Sequence, residues 1–470
     1  MGSCAYGFAA EPKFQGSRRV IDDNLNPIAP ATLVAVGGGT YNLGNWRRYF
    51  LVAAAATLSS TITLKFAQIQ YLEWIFAIDF LLLLVMLFGD GLRVRIFPPF
   101  LEIAESYGIF LACAFLLSLV ALQQDFSYTF HSVLKTPVIV TISRMAELFL
   151  DAFYMLYLAA LFRADKALCL FGARTYLWAA IAGCLYSFVC YPLNRLYQAQ
   201  LGTYSMDHRF RGFDNEGGGF GVYLVSAILL AVIMYRRQWI ARPHFIVAMS
   251  LMVVGLCGSQ SKSAFFAVGA LGAICLVWFL KGGRRWIMIA ALTVGLVVVG
   301  YVFNIKQQID TYRYGAAQYQ RLSNLKWGDG NYVMGRVAGS VIAPRMIKAR
   351  PLLGIGWGNY PLVRDIAEYR QGTAFSLGDV DAPGLGVIDY IVELGIPLWL
   401  YLTWVELKPV VMLRRSGADK WLVALALILP VSTWAGAHLN LMHPWVVAAF
   451  ALGLGYPVTS RTAMARISDS

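Results

Sequence analysis

Seven basic residues in this sequence are placed where they can do chemistry: Arg209, Arg211, Lys262, Arg336, Arg345, Lys348 and Arg350. They come from three separate stretches, "RFRGFDNEGGG", "GSQSKSAFF" and "GRVAGSVIAPRMIKARPLL", and residues 331–360 contain no acid to balance them. A guanidinium fork matches phosphate oxygens two at a time, and an ammonium supplies a point charge. A set converging from three places would hold a polyanionic group and steady the charge it acquires on leaving. The plainer alternative is pairing with nearby acids such as Asp310, Asp329, Asp365 and Glu368, since most loop charges are simply solvated. Asp379 and Asp381, in "GDVDAPGLGVIDY", are carboxylates able to take a proton from a hydroxyl, or else turn-forming residues.

The elements that must carry these residues are membrane helices. The 470 residues are 58% hydrophobic and only 14% charged, which places the chain among membrane proteins. Its net charge of +13 would suit a nucleic-acid partner, but a polytopic protein collects Lys and Arg in its cytoplasmic loops, and no nucleic acid is expected. The seven cysteines lie mostly in or beside apolar runs with no CxxC pair, as small buried hydrophobes do.

A span needs roughly 20 apolar residues. On that criterion about twelve helices are expected, near 49–67, 71–90, 105–122, 136–162, 173–193, 218–235, 243–258, 263–280, 286–304, 384–407, 420–437 and 443–459. The expected organisation is an N-terminal arm (1–48), helices one to nine (49–304), a large loop (305–383), helices ten to twelve (384–459) and a tail (460–470). With both termini cytoplasmic, the inner connections hold Arg93/Arg95, Arg163/Lys166/Arg174, Arg236/Arg237/Arg242, Lys281/Arg284/Arg285 and Arg414/Arg415/Lys420. The opposite short connections are nearly free of Lys and Arg, so this orientation obeys the positive-inside rule. The 305–383 loop, with ten Lys and Arg, then faces outward, as a long loop can regardless of charge. Lys262, between two closely spaced apolar runs, must lie near the same surface, where a charge is costly and a functional candidate. The recurring anionic substrate at that surface is a lipid diphosphate.

These stretches together resemble the O-antigen ligase and O-antigen polymerase superfamily. "RFRGFDNEGGGFGVYL" is similar to its Arg-x-x-Gly-x-Phe-x-Asn segment, and "GSQSKSAFF" to its Ser-Arg/Lys-Gly/Ser/Thr-Ala turn. "GRVAGSVIAPRMIKARPLLGIGWGNY" resembles its Arg, helix and Pro-Leu-Leu-Gly-x-Gly-x-Gly-x-Phe/Tyr segment, and "VIDYIVELGIPLWLYL" its Glu-x-Gly span. The order holds from about residue 200 to 405. The resemblance implies a C-type, inverting, metal-independent glycosyltransferase of the bacterial inner membrane, with no cofactor. Its substrates would be undecaprenyl-diphosphate-linked glycans, as donor and acceptor, at the periplasmic face. A flippase and a chain-length regulator are the implied partners, besides membrane lipid. Arg211, Lys262 and Arg336 match the diphosphate clamp, with Arg209 an alternative to Arg211 and with Arg345 and Arg350 adding charge.

One departure bears on mechanism. Ligases and many polymerases carry a His pair eleven residues before the glycine that here is Gly395, and this chain has Gly384-Leu385 there. That favours a repeat-unit polymerase over a ligase to lipid A core, and it moves the acceptor base to Asp381, with Asp379 second. A transporter of lipid-linked glycan is a further alternative, disfavoured because no paired halves with interrupted spans appear. His438 and His443, at the last outward turn, are further candidate bases. Arg144, Glu147 and Asp151 stack on one helix face, where internal pairing competes with a polar groove. "GIGWG" follows Pro351 and no strand, so it is expected to be a close-packing turn and not a phosphate cradle.

Overall fold

The computed structural model describes residues 46–59, 81, 97–122, 136–197, 209–214, 217–279, 336–363, 366–370, 386–435 and 441–456. Residues 1–45, most of the second expected span, the ninth, and residues 305–335 and 371–383 of the expected loop lie outside them. The described residues are helix, turn and loop, with no strand. Six helices among them are long and apolar enough to cross a membrane, and three shorter ones are apolar. This is an all-helical polytopic membrane protein; in lipid the backbone must satisfy its own hydrogen bonds, and helices do so.

In chain order the helices are α1 (Trp46–Leu58), α2 (Pro98–Ala121), α3 (Pro137–Ala164), α4 (Lys166–Tyr197), α5 (Gly217–Arg236), α6 (Arg242–Ser259) and α7 (Lys262–Phe279). There follow α8 (Arg336–Ala349), α9 (Tyr360–Val363), α10 (Ala367–Arg370), α11 (Val387–Arg415), α12 (Lys420–Ala426), α13 (Ile428–Trp434) and α14 (Met442–Gly455). Prolines at the first positions set several starts, as in Pro98-Pro99 and Pro137, because the missing N–H is unneeded there. Helix α2 begins seven residues before the apolar run that marks it in sequence, and α11 continues eight residues past its own, to Arg415. Both extensions carry interfacial residues such as Glu102 and Lys408, which a hydropathy criterion leaves out.

Helix α14 is the centre. Its residues Met442 to Gly453 are all buried, as expected of a helix that is apolar all round. It packs against α3 closely enough that Phe162 and Phe450 stack at 4.4 Å and Gly453 meets the Phe162 Cβ. The outer helices instead show apolar side chains to their surroundings: Trp178 is 65% exposed and Leu116 61%. In water such exposure would cost heavily; facing lipid it costs nothing.

Helices α3 and α4 form a hairpin that fixes the two ends of the bundle. Asp165 sits between them, and its Oδ1 accepts from Ala167 N (2.8 Å) and Leu168 N (3.1 Å), capping α4. Beside this turn Arg163 donates to Tyr456 O (2.9 Å) and lies 3.8 Å from the Phe97 ring centroid. The start of α3 and the end of α4 therefore share the opposite end of the bundle. The candidate residues gather there.

Candidate active site

The first two basic stretches are tied together by main chain. Phe210 N donates to Gly258 O (2.9 Å), joining the segment 209–214 to the last turn of α6. Gln260, in the left-handed region (φ 47°), turns the chain sharply, and Ser261 begins α7 by accepting from Ala264 N at 3.0 Å. The same Ser261 hydroxyl donates to Gly218 O (3.0 Å), pulling the start of α5 onto this turn. Gly212 N donates to Ser187 Oγ (2.9 Å) on α4, and Phe213 stacks on Tyr186 at 5.1 Å. Arg209 and Arg211 are thus half-buried on a pinned loop, and Lys262 is exposed at the first residue of α7 beside it. The structure brings these three candidates to one place.

The third stretch is built on a broken helix. At Gly395 (φ 73°, ψ 163°) α11 leaves helical geometry, and Pro397 follows two residues later with no N–H to give. The break frees the carbonyls of Val392 and Glu393 and the amide of Ile396. Each is answered by residues 351–356: Ile355 N donates to Val392 O (3.0 Å), Gly356 N to Glu393 O (3.0 Å), and Ile396 N to Pro351 O (2.9 Å). Irregular backbone inside a bundle persists only when its polar groups are satisfied in this way. The approach leaves no room for side chains at two points. A Cβ on Gly354 (φ 63°) would strike Glu393 O, and one on Gly395 would strike Leu352 O. The glycine stretch is therefore a close-packing element, as the sequence suggested.

The loop continues inward, with Ile355 and Asn359 fully buried and Trp357 3% exposed. Thr141 Oγ1 donates to Trp357 O (2.8 Å), Trp357 N donates to Ser118 Oγ (3.1 Å), and the indole packs on Phe110 at 5.5 Å. Tyr360 N donates to Glu393 Oε1 at 3.2 Å. Arg144 and Glu147 pair on α3 at 3.4 Å, which favours internal pairing for that helix face.

Helix α8 leads into this loop. Arg336 is its first residue, with a side chain outside the described set, and Lys348 is exposed. Arg345 Nη1 donates to Tyr369 O (2.9 Å), and the Arg350 guanidinium lies near enough to act on the Tyr369 phenol. Burial raises the Tyr369 phenol above its ordinary pKa, while the Arg350 guanidinium pulls it down. A small apolar core of Ile342, Met346, Ile355, Tyr360, Val363 and Val392 binds α8, the loop and α11 into one piece.

Two groups of cations thus occupy the same end of the bundle: Arg209, Arg211 and Lys262 at the α6–α7 turn, and Arg345 and Arg350 beside the docked loop. Asp379, Asp381 and Gly384 lie outside the described residues. His443 corrects an expectation. It is fully buried, with neither ring nitrogen hydrogen-bonded and its ring 5.9 Å from that of Tyr223, so it is a core residue and not an interfacial base. Among the described residues no three His, Cys, Asp or Glu side chains gather to hold a metal. Sequence reasoning missed Ser118, Thr141 and Glu393 as partners of the loop. The signal for the last was the pairing of Gly395 with Pro397, which requires an outside donor for the Glu393 carbonyl.

No curated protein sequence matches the chain. Residues 247–403, from α6 through the docked loop into α11, match the family model described as O-antigen ligase. The matched stretch holds Lys262, α8, the glycine loop and the break at Gly395, while Arg209, Arg211 and Arg144 precede it. This match over about one third of the chain supports the O-antigen ligase and polymerase superfamily and does not separate ligase from polymerase.

Proposed function

We propose that the protein polymerises undecaprenyl-diphosphate-linked oligosaccharide repeat units at the periplasmic face of the bacterial inner membrane, building an O-antigen or exopolysaccharide. The observation that carries this reading is the Phe210–Gly258 bond, which sets Arg209 and Arg211 beside Lys262 at the end of the bundle that also carries the docked loop. The opposite end holds Arg163, Arg174, Arg236, Arg242 and Arg414, which by the positive-inside rule supports an outward-facing site with both termini in the cytoplasm.

In the proposed reaction an acceptor hydroxyl attacks the anomeric carbon of the donor sugar from the face opposite the diphosphate. The new C–O bond forms as the bond to the phosphate oxygen breaks, and the configuration inverts. The diphosphate leaves with the electron pair, and Arg211, Lys262 and Arg336 neutralise the charge it gains. Arg209, Arg345 and Arg350 add to the field that holds it. The hydroxyl proton passes to Asp381, with Asp379 as the second choice. No metal is needed where side-chain cations supply this charge.

Transfer to lipid A core is the second reading, favoured by the description of the matched family. Gly384 in the place of the ligase histidine weighs against it. Purified protein given a lipid-linked repeat unit alone should produce a ladder of lipid-linked polymer. Product that forms only when lipid A core is added would establish the ligase reading instead.

A further inference from the structure

We propose that Glu393, bonded to the main chain of the docked loop, is a positioning residue for glycosyl transfer. Its carboxylate fixes residues 357–363 in the bundle and thereby sets where Arg345 and Arg350 stand; the inference rests on the transferase reading above.

The main chain explains only half of the docking. Residues 351–356 are held by backbone bonds to the break in α11, but from Trp357 onward the loop leaves α11 and depends on side chains. Glu393 is the charged one. Its carboxylate accepts from Tyr360 N (3.2 Å), a donor that opens α9 and has no helical acceptor. The residue is 8% exposed, and its carbonyl meanwhile takes Gly356 N. One residue therefore fastens the loop from both its backbone and its side chain.

Arg144, paired with Glu147 at 3.4 Å, flanks the same loop from α3, its Cγ 3.2 Å from where a Cβ on Gly358 would stand. Helices α3 and α11 thus both pack on the loop between them.

The consequence reaches the cations through packing. Ile355, Tyr360 and Val363 share a core with Ile342 and Met346 of α8 and with Tyr369. Arg345 bonds the Tyr369 carbonyl, and Gly354 N bonds the Arg350 carbonyl. A loop shifted at Glu393 carries these anchors with it, and displacement of about 1 Å at a reacting centre can cost roughly 10²-fold in rate.

The test compares Glu393→Gln with Glu393→Asp, because geometry and charge then oppose each other. Gln keeps an acceptor oxygen at full reach and loses the charge; Asp keeps the charge and withdraws it by one methylene. Turnover of the lipid-linked repeat unit is measured with the purified proteins, alongside hydrogen exchange of the amides in 351–363. Positioning requires Gln to retain turnover within about threefold and wild-type exchange. Asp should lose at least about tenfold in kcat and exchange faster over 357–363. The reverse order of the two variants, or wild-type turnover and exchange in Asp, overturns the proposal. If wild type makes no polymer, the polymerase reading fails on its own. The exchange data still decide whether Glu393 holds the loop.

Discussion

Gly395→Ala tests whether the docked loop is what the reaction requires. The backbone at 395 has φ 73° and ψ 163°, a region open essentially to glycine alone, and occupying it with alanine costs about 1–3 kcal/mol. The added Cβ also meets Leu352 O, a backbone atom that cannot rotate aside. Relief requires the loop to retreat, which gives up bonds such as Ile396 N to Pro351 O and Gly356 N to Glu393 O, each worth about 1 kcal/mol. The strain therefore lowers the docked population by about 1–3 kcal/mol, roughly 5- to 150-fold, with the lost bonds as the readout. Hydrogen exchange should therefore quicken at Ile355, Gly356 and Ile396 while α3 and α14 stay protected, and polymer formation should fall in step. Gly108→Ala is the control. Gly108 lies in α2 with nothing within 4 Å of a new Cβ, so it should be neutral or gain up to about 1 kcal/mol from helix propensity. Wild-type exchange and turnover in Gly395→Ala would refute the argument, because no rotamer change can remove that clash.

The cations and the base make separate predictions. Lys262→Ala and Arg336→Ala should each reach the membrane folded yet lose about 10²–10³ in turnover, the usual effect of removing a donor to a charge that develops in the transition state. Near wild-type polymer from either would remove it from the clamp. Asp381→Asn should bind donor normally and turn over at least about tenfold more slowly, with Asp379→Asn less affected. Full turnover of both across pH would place the base elsewhere, and His443, sealed in the core, is not the residue to try next. Excess chelator should leave turnover unchanged; loss restored by magnesium or manganese would show that a metal supplies charge assigned to side chains.

The sequence by itself determined the class of the protein and its residue types. Apolar runs of membrane length demand helices in lipid, and the alternation of basic and non-basic connections orders them, because these are local properties of composition. Motif order also marked the stretch from about 200 to 405, and the family match at 247–403 falls within it. What the sequence did not determine is who answers whom. The span expected over 384–407 is continuous, with no break at Gly395, and nothing local shows that Pro351, Ile355 and Gly356 satisfy the break in α11, since those partners are about 40 residues away and meet it only through folding. The burial of His443 was equally invisible. An "HP" after a polar turn has the same local pattern at a surface as in a core, and only the packing of α14 among its neighbours decided for the core. Thr141 and Glu393, more than 200 residues apart, came to hold the same loop because its main-chain groups at Trp357 and Tyr360 enter the bundle between α3 and α11 and need polar partners there.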